Sequence, residues 1–413
     1  MPEQNKSGIK SAAERLFERL RRQRLSNPTT PGDEVADGRR IMVRGGVDIW
    51  FLLIVLALIC FGAVMSFSAS AVYAQNKYGD STYFLWRYIL FACIAILGTL
   101  PFVLFARPWF WRLFGVCAYG GSVMLLLLVL VIGREGGGAQ RWIDLGFMTI
   151  QPSEVAKMAV VLTMALYMSK HESQIKSDVT RESFHYGVMG PAMIFGFICM
   201  LVALEKHISG LMIIGMIGIS IMFMGGTRLK YIFLIIGAIG LAGVLLILVS
   251  DYAQDRVTTW LFLEKANPLG SAWQTWQGLY AIGSGGLFGK GLGNSMQKFG
   301  YVSEPQNDFV FTIICEELGF FGALLVVSLF GLLVWRGFHI AAKAPDRFSS
   351  LAVYGLTFKV ALQTILNIAV VTNSMPNTGI SLPFFSSGGT SLAVQIFEMG
   401  IILSISRYSI QKR

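Results

Sequence analysis

Asp308 is the side chain of this sequence best placed to do acid–base chemistry. It stands in SEPQNDFVFTIICEELG, where a long polar, glycine-rich segment turns into an apolar run. An acid at the mouth of an apolar run is costly to keep near a membrane, which makes it a functional candidate. A carboxylate there can act as a general base; it can equally cap the free N–H groups of a helix beginning at this point. Thr312 and Cys315 share its helical face, whereas Glu316 is turned away by roughly 80° and lies about 12 Å deeper. Glu316 and Glu317 therefore read as structural groups or as partners for buried donors.

Basic residues in three other stretches suit an anionic ligand. GAQRWIDLGFMTIQPSEVAK carries Arg141, with Glu154 and Lys157 one turn apart at the start of a helix. Arg141 and Lys157 can hold an anionic head group, since a guanidinium meets phosphate in a bidentate way. The plain alternative is an interfacial Trp142 beside a local Glu-to-Lys pair worth a few tenths of about 1 kcal/mol. LEKHISG sets Glu205, Lys206 and His207 between two apolar runs with almost no loop, which suits a break facing a cavity better than a simple turn. No second His or Cys lies at ligand spacing from His207. SGGLFGKGLGNSMQKFGY offers Lys290 and Lys298 among glycines that let backbone approach a ligand or a neighbouring helix, without a nucleotide-binding fingerprint. Glu304 and Ser386 complete the candidate substrate contacts, Ser386 within MPNTGISLPFFSSGGTS, a hairpin of hydroxyl and backbone donors.

These groups need a scaffold, and composition defines its class. Of 413 residues, 54% are hydrophobic and 14% charged, and the mean hydropathy is +0.60. That excludes an ordinary soluble domain and predicts an all-α polytopic membrane protein. The net charge of +10 falls in short clusters between apolar runs and lacks an aromatic-basic groove pattern, which argues against nucleic acid. Ten runs are expected to be transmembrane helices, at about 49–71, 84–106, 109–133, 153–169, 191–204, 209–226, 231–250, 308–335, 351–372 and 389–405. With the basic N-terminal tail inside, Arg107, Lys170, Arg228, Arg336 and Arg407 all fall inside by the positive-inside rule. Both termini are then cytoplasmic. The segments 134–152, 205–207, 251–307 and 373–388 face outwards and share a side.

The expected organisation is a basic tail over 1–47, a ten-helix membrane domain over 48–407 with a large outer loop at 251–307 between helices 7 and 8, and a short tail over 408–413. In the first tail, RLFERLRRQR suggests a basic helix near anionic lipid and SNPTTPGDE a linker. The first apolar run is long enough to span, so no cleavable signal peptide is expected. Cys60, Cys93, Cys117, Cys199 and Cys315 all lie in apolar runs at no metal-like spacing.

Taken in order, RWIDLG with QPSE, GSGGLFGKGLGNSMQKFGY with DFVFTIICEELG, and LPFFSSGGTS resemble the SEDS family of FtsW, RodA and SpoVE over about 49–407. GLGNSMQKFGY is more similar to the FtsW and SpoVE branch. The resemblance implies a peptidoglycan glycosyltransferase polymerising lipid II at the outer face of a bacterial cytoplasmic membrane, in division or sporulation. It implies Asp308 as catalytic base of an inverting transfer. Pyrophosphate contacts would come from Arg141, Lys157, Lys290 or Lys298, with a divalent cation, Mg or Mn, as an optional aid. A class B penicillin-binding protein and other divisome or sporulation proteins are the implied partners. A lipid II flippase and a non-catalytic division scaffold are the competing classes. Three places depart from the family pattern: Asn307 stands where Thr is common, Lys206-His207 where a Pro-Asp pair is usual, and Thr378 where a basic residue is often seen.

Overall fold

The computed structural model describes residues 41–411 except 137–138, 145, 147–148, 250, 268–269, 271, 304 and 387–388. The basic helix and linker expected before residue 41 lie outside the described residues, as do Lys412 and Arg413.

Each of the ten apolar runs is a helix: α1 Ile49–Tyr78, α2 Tyr83–Phe105, α3 Pro108–Ile132, α4 Pro152–Lys170, α5 Gly190–Leu204, α6 Ile208–Gly225, α7 Leu229–Val249, then, beyond α8 Asp251–Leu261 and α9 Trp273–Ser284, α10 Val310–Ala342, α11 Arg347–Val371 and α12 Gly389–Ser406. Eight are long and apolar enough to cross a membrane, α5 as the last part of a continuous helical span Thr180–Leu204. The two that fall short of that measure are α4, which carries Glu154 and Lys157, and α7, whose apolar part is Leu229–Leu245. Local chemistry sets several boundaries. Asp48 accepts from Phe51 N at 3.0 Å and caps α1, and Pro opens both α3 and α4, where its missing N–H costs nothing. The expected outer loop is not structureless, since it contains α8 and α9.

The helix α4 is the hub. It packs on α3, α6 and α11, while α10 packs on α1 and α11, and α12 on α2. Most of α4 is buried all round, as befits a helix with no lipid-facing side. Small residues allow the approach, because lipid supplies no hydrophobic drive between helices. A Cβ on Gly115 would stand 2.8 Å from Leu162 Cβ, and one on Gly355 2.7 Å from Val161 Cγ1.

In α10 the helix breaks at Gly319 (φ 66°, ψ −163°). The glycine-rich loop fills the break. Lys290 N and Gly291 N donate to the carbonyls of Glu316 and Glu317 at 2.9 and 3.0 Å, and Phe320 N and Phe321 N donate to Gly286 and Leu287. A Cβ on Gly319 would come within 2.3 Å of Gly289 N, so neither chain could lie so close with side chains.

Two small sheets add to the all-α plan. Strands β2 Arg134–Gly136, β3 Ala139–Asp144 and β4 Thr149–Ile150 form an antiparallel sheet in that order between α3 and α4. At the other end of the bundle β1 Ile41–Arg44 pairs antiparallel with β5 Tyr408–Gln411, Ile41 facing Gln411. The stretches expected as separate tails thus meet.

Candidate active site

The four connections expected on one side converge on a single cavity of about 700 Å³ above the start of α4. Its wall takes Arg141 from β3, Glu154 and Lys157 from α4, Lys206 and His207 from the α5–α6 break, Arg256 from α8, Asp308 from before α10, and 377–381 and Ser386 from the hairpin before α12. Four cationic side chains (Arg141, Lys157, Lys206, Arg256) face two carboxylates (Glu154, Asp308), so the lining favours an anion.

Asp308 lies just outside the start of α10. The N-cap of α10 is Phe309, which makes no side-chain cap, and Asp308 stands one residue before it. Its carbonyl accepts from Asn367 Nδ2 at 2.7 Å, and the same amide donates to Ile380 O at 2.7 Å. Asn367, fully buried on α11, thereby ties the segment carrying Asp308 to the hairpin carrying Gly379. That hairpin is held from its other side as well. Arg256 Nη1 donates to Asn377 O, Asn377 Nδ2 to Gln274 Oε1 at 3.2 Å, and Trp260 Nε1 to Asn373 O at 3.0 Å.

The cavity floor is a buried charge network. Lys157 Nζ lies 2.6 Å from Glu154 Oε1, with only 2% and 7% of the two side chains exposed. This is far from the surface pair of the plain alternative, since both groups have left water and need each other. Lys359 of α11 bridges Glu398 of α12 at 2.7 and 2.8 Å and stands 3.9 Å from Glu154. Neither partner was legible in the sequence, because nothing local marks residues 200 positions away as neighbours of Glu154.

At the α5–α6 break the chain turns through Lys206, which adopts φ 55°. Arg141 Nη2 donates to Lys206 O at 3.0 Å and joins the sheet to the break. Burial pushes the Glu205 carboxyl up to about 8, with Arg141 pulling it partly back. Burial, then the cations Arg141 and Lys157, push the His207 imidazole down to about 3, with Glu154 opposing them. Burial thus favours the uncharged form of both side chains.

Of the candidates from sequence, Asp308, Arg141, Glu154, Lys157 and Ser386 come together in the cavity. Glu304 lies outside the described residues. Lys290 and Lys298 do not line the cavity; they neutralise the two acids of α10. Lys290 Nζ meets Glu316 Oε1 at 2.8 Å, while Lys298 Nζ meets Glu317 Oε1 at 3.0 Å and Gly293 O at 2.5 Å. Ser68 and Ser295 complete the shell of Glu317 and Glu316. Reading those lysines as pyrophosphate ligands missed this, because a lysine in a glycine-rich loop looks the same whether its anion is a ligand or a carboxylate one helix away. Arg256, Gln274 and Asn377 were overlooked; the amphipathic pattern of α8 is the one signal that could have drawn attention to Arg256.

Among the described residues no three His, Cys, Asp or Glu side chains gather where they could hold a metal. Glu154 is already paired with Lys157, so the described residues do not offer the donor set of a Mg or Mn site.

Residues 49–411 match the family described as cell cycle protein, FtsW/RodA/SpoVE. The chain is 39% identical over 365 residues to stage V sporulation protein E of Bacillus subtilis (strain 168), covering 88% of this chain and 97% of that one. It is 36% identical over 366 residues to a probable peptidoglycan glycosyltransferase FtsW of Geobacter sp. (strain M18), with 87% and 97% covered. Among solved structures it is similar to a chain from work on structural coordination of polymerization and crosslinking by a peptidoglycan synthase complex, with TM-score 0.71, 25% identity, and 87% and 98% covered. It also resembles the rod shape determining protein RodA of Thermus thermophilus, with TM-score 0.64, 25% identity, and 87% and 97% covered.

Proposed function

This chain belongs to the FtsW, RodA and SpoVE family of cell cycle proteins, and from that premise we infer that the cavity around Asp308 is where it works as a peptidoglycan glycosyltransferase. It is a multi-pass membrane protein. The observation that carries the reading is the pairing of one carboxylate, Asp308, with a cationic lining in a cavity at one end of the helix bundle.

The proposed substrate is lipid II, taken at the outer face of a bacterial cytoplasmic membrane, with both termini of the chain inside. Asp308 accepts the proton of the acceptor sugar's 4-hydroxyl as that oxygen attacks the donor's anomeric carbon. The new glycosidic C–O bond forms as the bond to the diphosphate oxygen breaks, and attack from the face opposite the leaving group inverts the centre. The diphosphate departs with its own charge, so one base and an electrostatic clamp are enough; Arg141 and Lys157 belong to that clamp. Glu154 holds Lys157 in place at 2.6 Å, and Ser386 offers a hydroxyl on the hairpin side. The assigned partner is a class B penicillin-binding protein, which crosslinks the strand as it emerges.

The test is glycan synthesis from lipid II by the purified protein with its partner. Asp308→Ala should abolish strand formation while folding and partner binding persist. Glycan made by that variant would remove Asp308 from the mechanism.

A further inference from the structure

The first turn of α6 opens into the cavity with backbone donors that no described residue satisfies. Ile208, Ser209 and Gly210 all line the cavity, and among the described residues no acceptor meets their backbone N–H groups; the first bond of the helix is Leu211 N to His207 O at 3.0 Å. His207 occupies the N-cap and makes no capping hydrogen bond. Its imidazole folds over the first turn, where a Cβ on Gly210 would stand 2.7 Å from Nδ1, and Nδ1 itself is buried without a partner. The first N–H groups of any helix lack an intrahelical partner, but here Ser209 and Gly210 are buried residues beside an orphan ring nitrogen at one cavity wall, and buried donors are nearly always paired, which calls for a ligand.

The surrounding charge says which kind. The helix N-terminus carries about half a positive charge and presents its N–H groups to an anion. Lys206, directly before the cap, pairs with no carboxylate among the described residues. Arg141 is fastened to the same turn through Lys206 O, and Lys157 lies in the same wall. Asp308 is the other carboxylate of the cavity, and the remaining acids near the turn do not oppose an anion. Glu154 is matched by Lys157, and Glu205 is held in its protonated form by burial.

We propose that the α6 N-terminus, with Lys206 and His207, is a diphosphate-binding subsite in which the N–H groups of Ile208, Ser209 and Gly210 cradle one phosphoryl group and Lys206 and Arg141 neutralise the other. Its occupant as the leaving group of glycan synthesis rests on the function proposed above; the anion site itself rests on the geometry of α6. A His at the cap is what permits it. A carboxylate at position 207 would bond the same N–H groups and repel the ligand, so the Lys206-His207 pair gives this chain a chemistry that a Pro-Asp pair lacks.

Calorimetric titration of the full-length protein in detergent tests the subsite, with inorganic pyrophosphate and farnesyl diphosphate as separate probes. Wild type and Asp308→Asn should bind. His207→Asp should lose at least tenfold in affinity while melting no lower than wild type, because Asp is a good N-cap, and Lys206→Gln should lose severalfold. Tighter binding of the farnesyl probe supports a lipid-carried diphosphate as occupant; equal binding supports the subsite with the free anion as a fitting occupant. If wild type binds neither probe, or if His207→Asp and Lys206→Gln both bind within twofold of wild type, the subsite is wrong. The two readings fail separately. A wild-type complex that makes no glycan yet binds pyrophosphate through His207 sinks the polymerase and leaves the subsite standing; glycan synthesis with binding indifferent to residue 207 does the reverse.

Discussion

The Asp308 carboxylate lies against Gly379: a methyl group built on that glycine would stand 3.6 Å from Asp308 Oδ2, and Gly379 has φ +67°. The hairpin before α12 is therefore the surface this carboxylate faces, and Asn367 ties the two segments by donating to both Asp308 O and Ile380 O.

Asp308→Asn keeps the shape of the side chain and removes its basicity. Glycan formation from lipid II should fall by about 10²- to 10⁴-fold, the range of a general base, with the melting temperature unchanged. Turnover within a few fold of wild type would mean that the proton goes elsewhere.

Gly379→Ala asks whether the hairpin sets the geometry of the base. Left-handed backbone costs a non-glycine residue about 1–2 kcal/mol, and the new methyl makes ordinary contact rather than a clash, so the variant should fold with a modest loss of stability. Turnover should drop by more than that loss explains, with substrate KM little changed. Wild-type turnover would separate the hairpin from the reacting centre.

Lys298→Met leaves Glu317 charged and buried, and Glu317→Gln does the converse. Each should destabilise the protein by about 3–5 kcal/mol, and the double variant should recover part of the loss, which thermal unfolding in detergent would measure as a coupling. A Lys298→Met protein of normal stability with a raised KM would instead restore Lys298 as a substrate ligand.

Stability should depend on pH through Glu205 and His207 in opposite senses. Glu205 is raised from 4.5 to about 8, so its contribution is complete below about 4.5 and declines as pH rises through 8, because only the unfolded chain releases the proton. His207 is lowered from 6.5 to about 3, so its contribution is complete above about 6.5 and is lost as pH falls towards 3. The two slopes offset each other between about 4.5 and 6.5, and above that range Glu205 acts alone. The melting temperature should fall from pH 6.5 to 8 in wild type, and Glu205→Gln should flatten that limb. An unchanged slope in Glu205→Gln would assign it to another group.

The sequence by itself determined the helices and grouped together the connections that line the cavity. Apolar runs of spanning length leave the backbone no alternative to helix in lipid, and the clustering of Lys and Arg sorts the connections between them. It also singled out Asp308, because an acid at the edge of an apolar run is conspicuous whatever surrounds it. Only the tertiary structure decided which cations serve the cavity. Lys290 and Lys298 look as available as Lys157 in the sequence, yet Glu316 and Glu317 take them across the Gly319 break, a contact made possible by backbone packing that leaves no trace in spacing. Arg256 and the open turn of α6 enter the wall from segments that read as loop and helix break. The role of the α6 turn depends on which hydrogen-bond donors remain unpaired once the bundle closes, and that is a property of the packed chain rather than of any stretch within it.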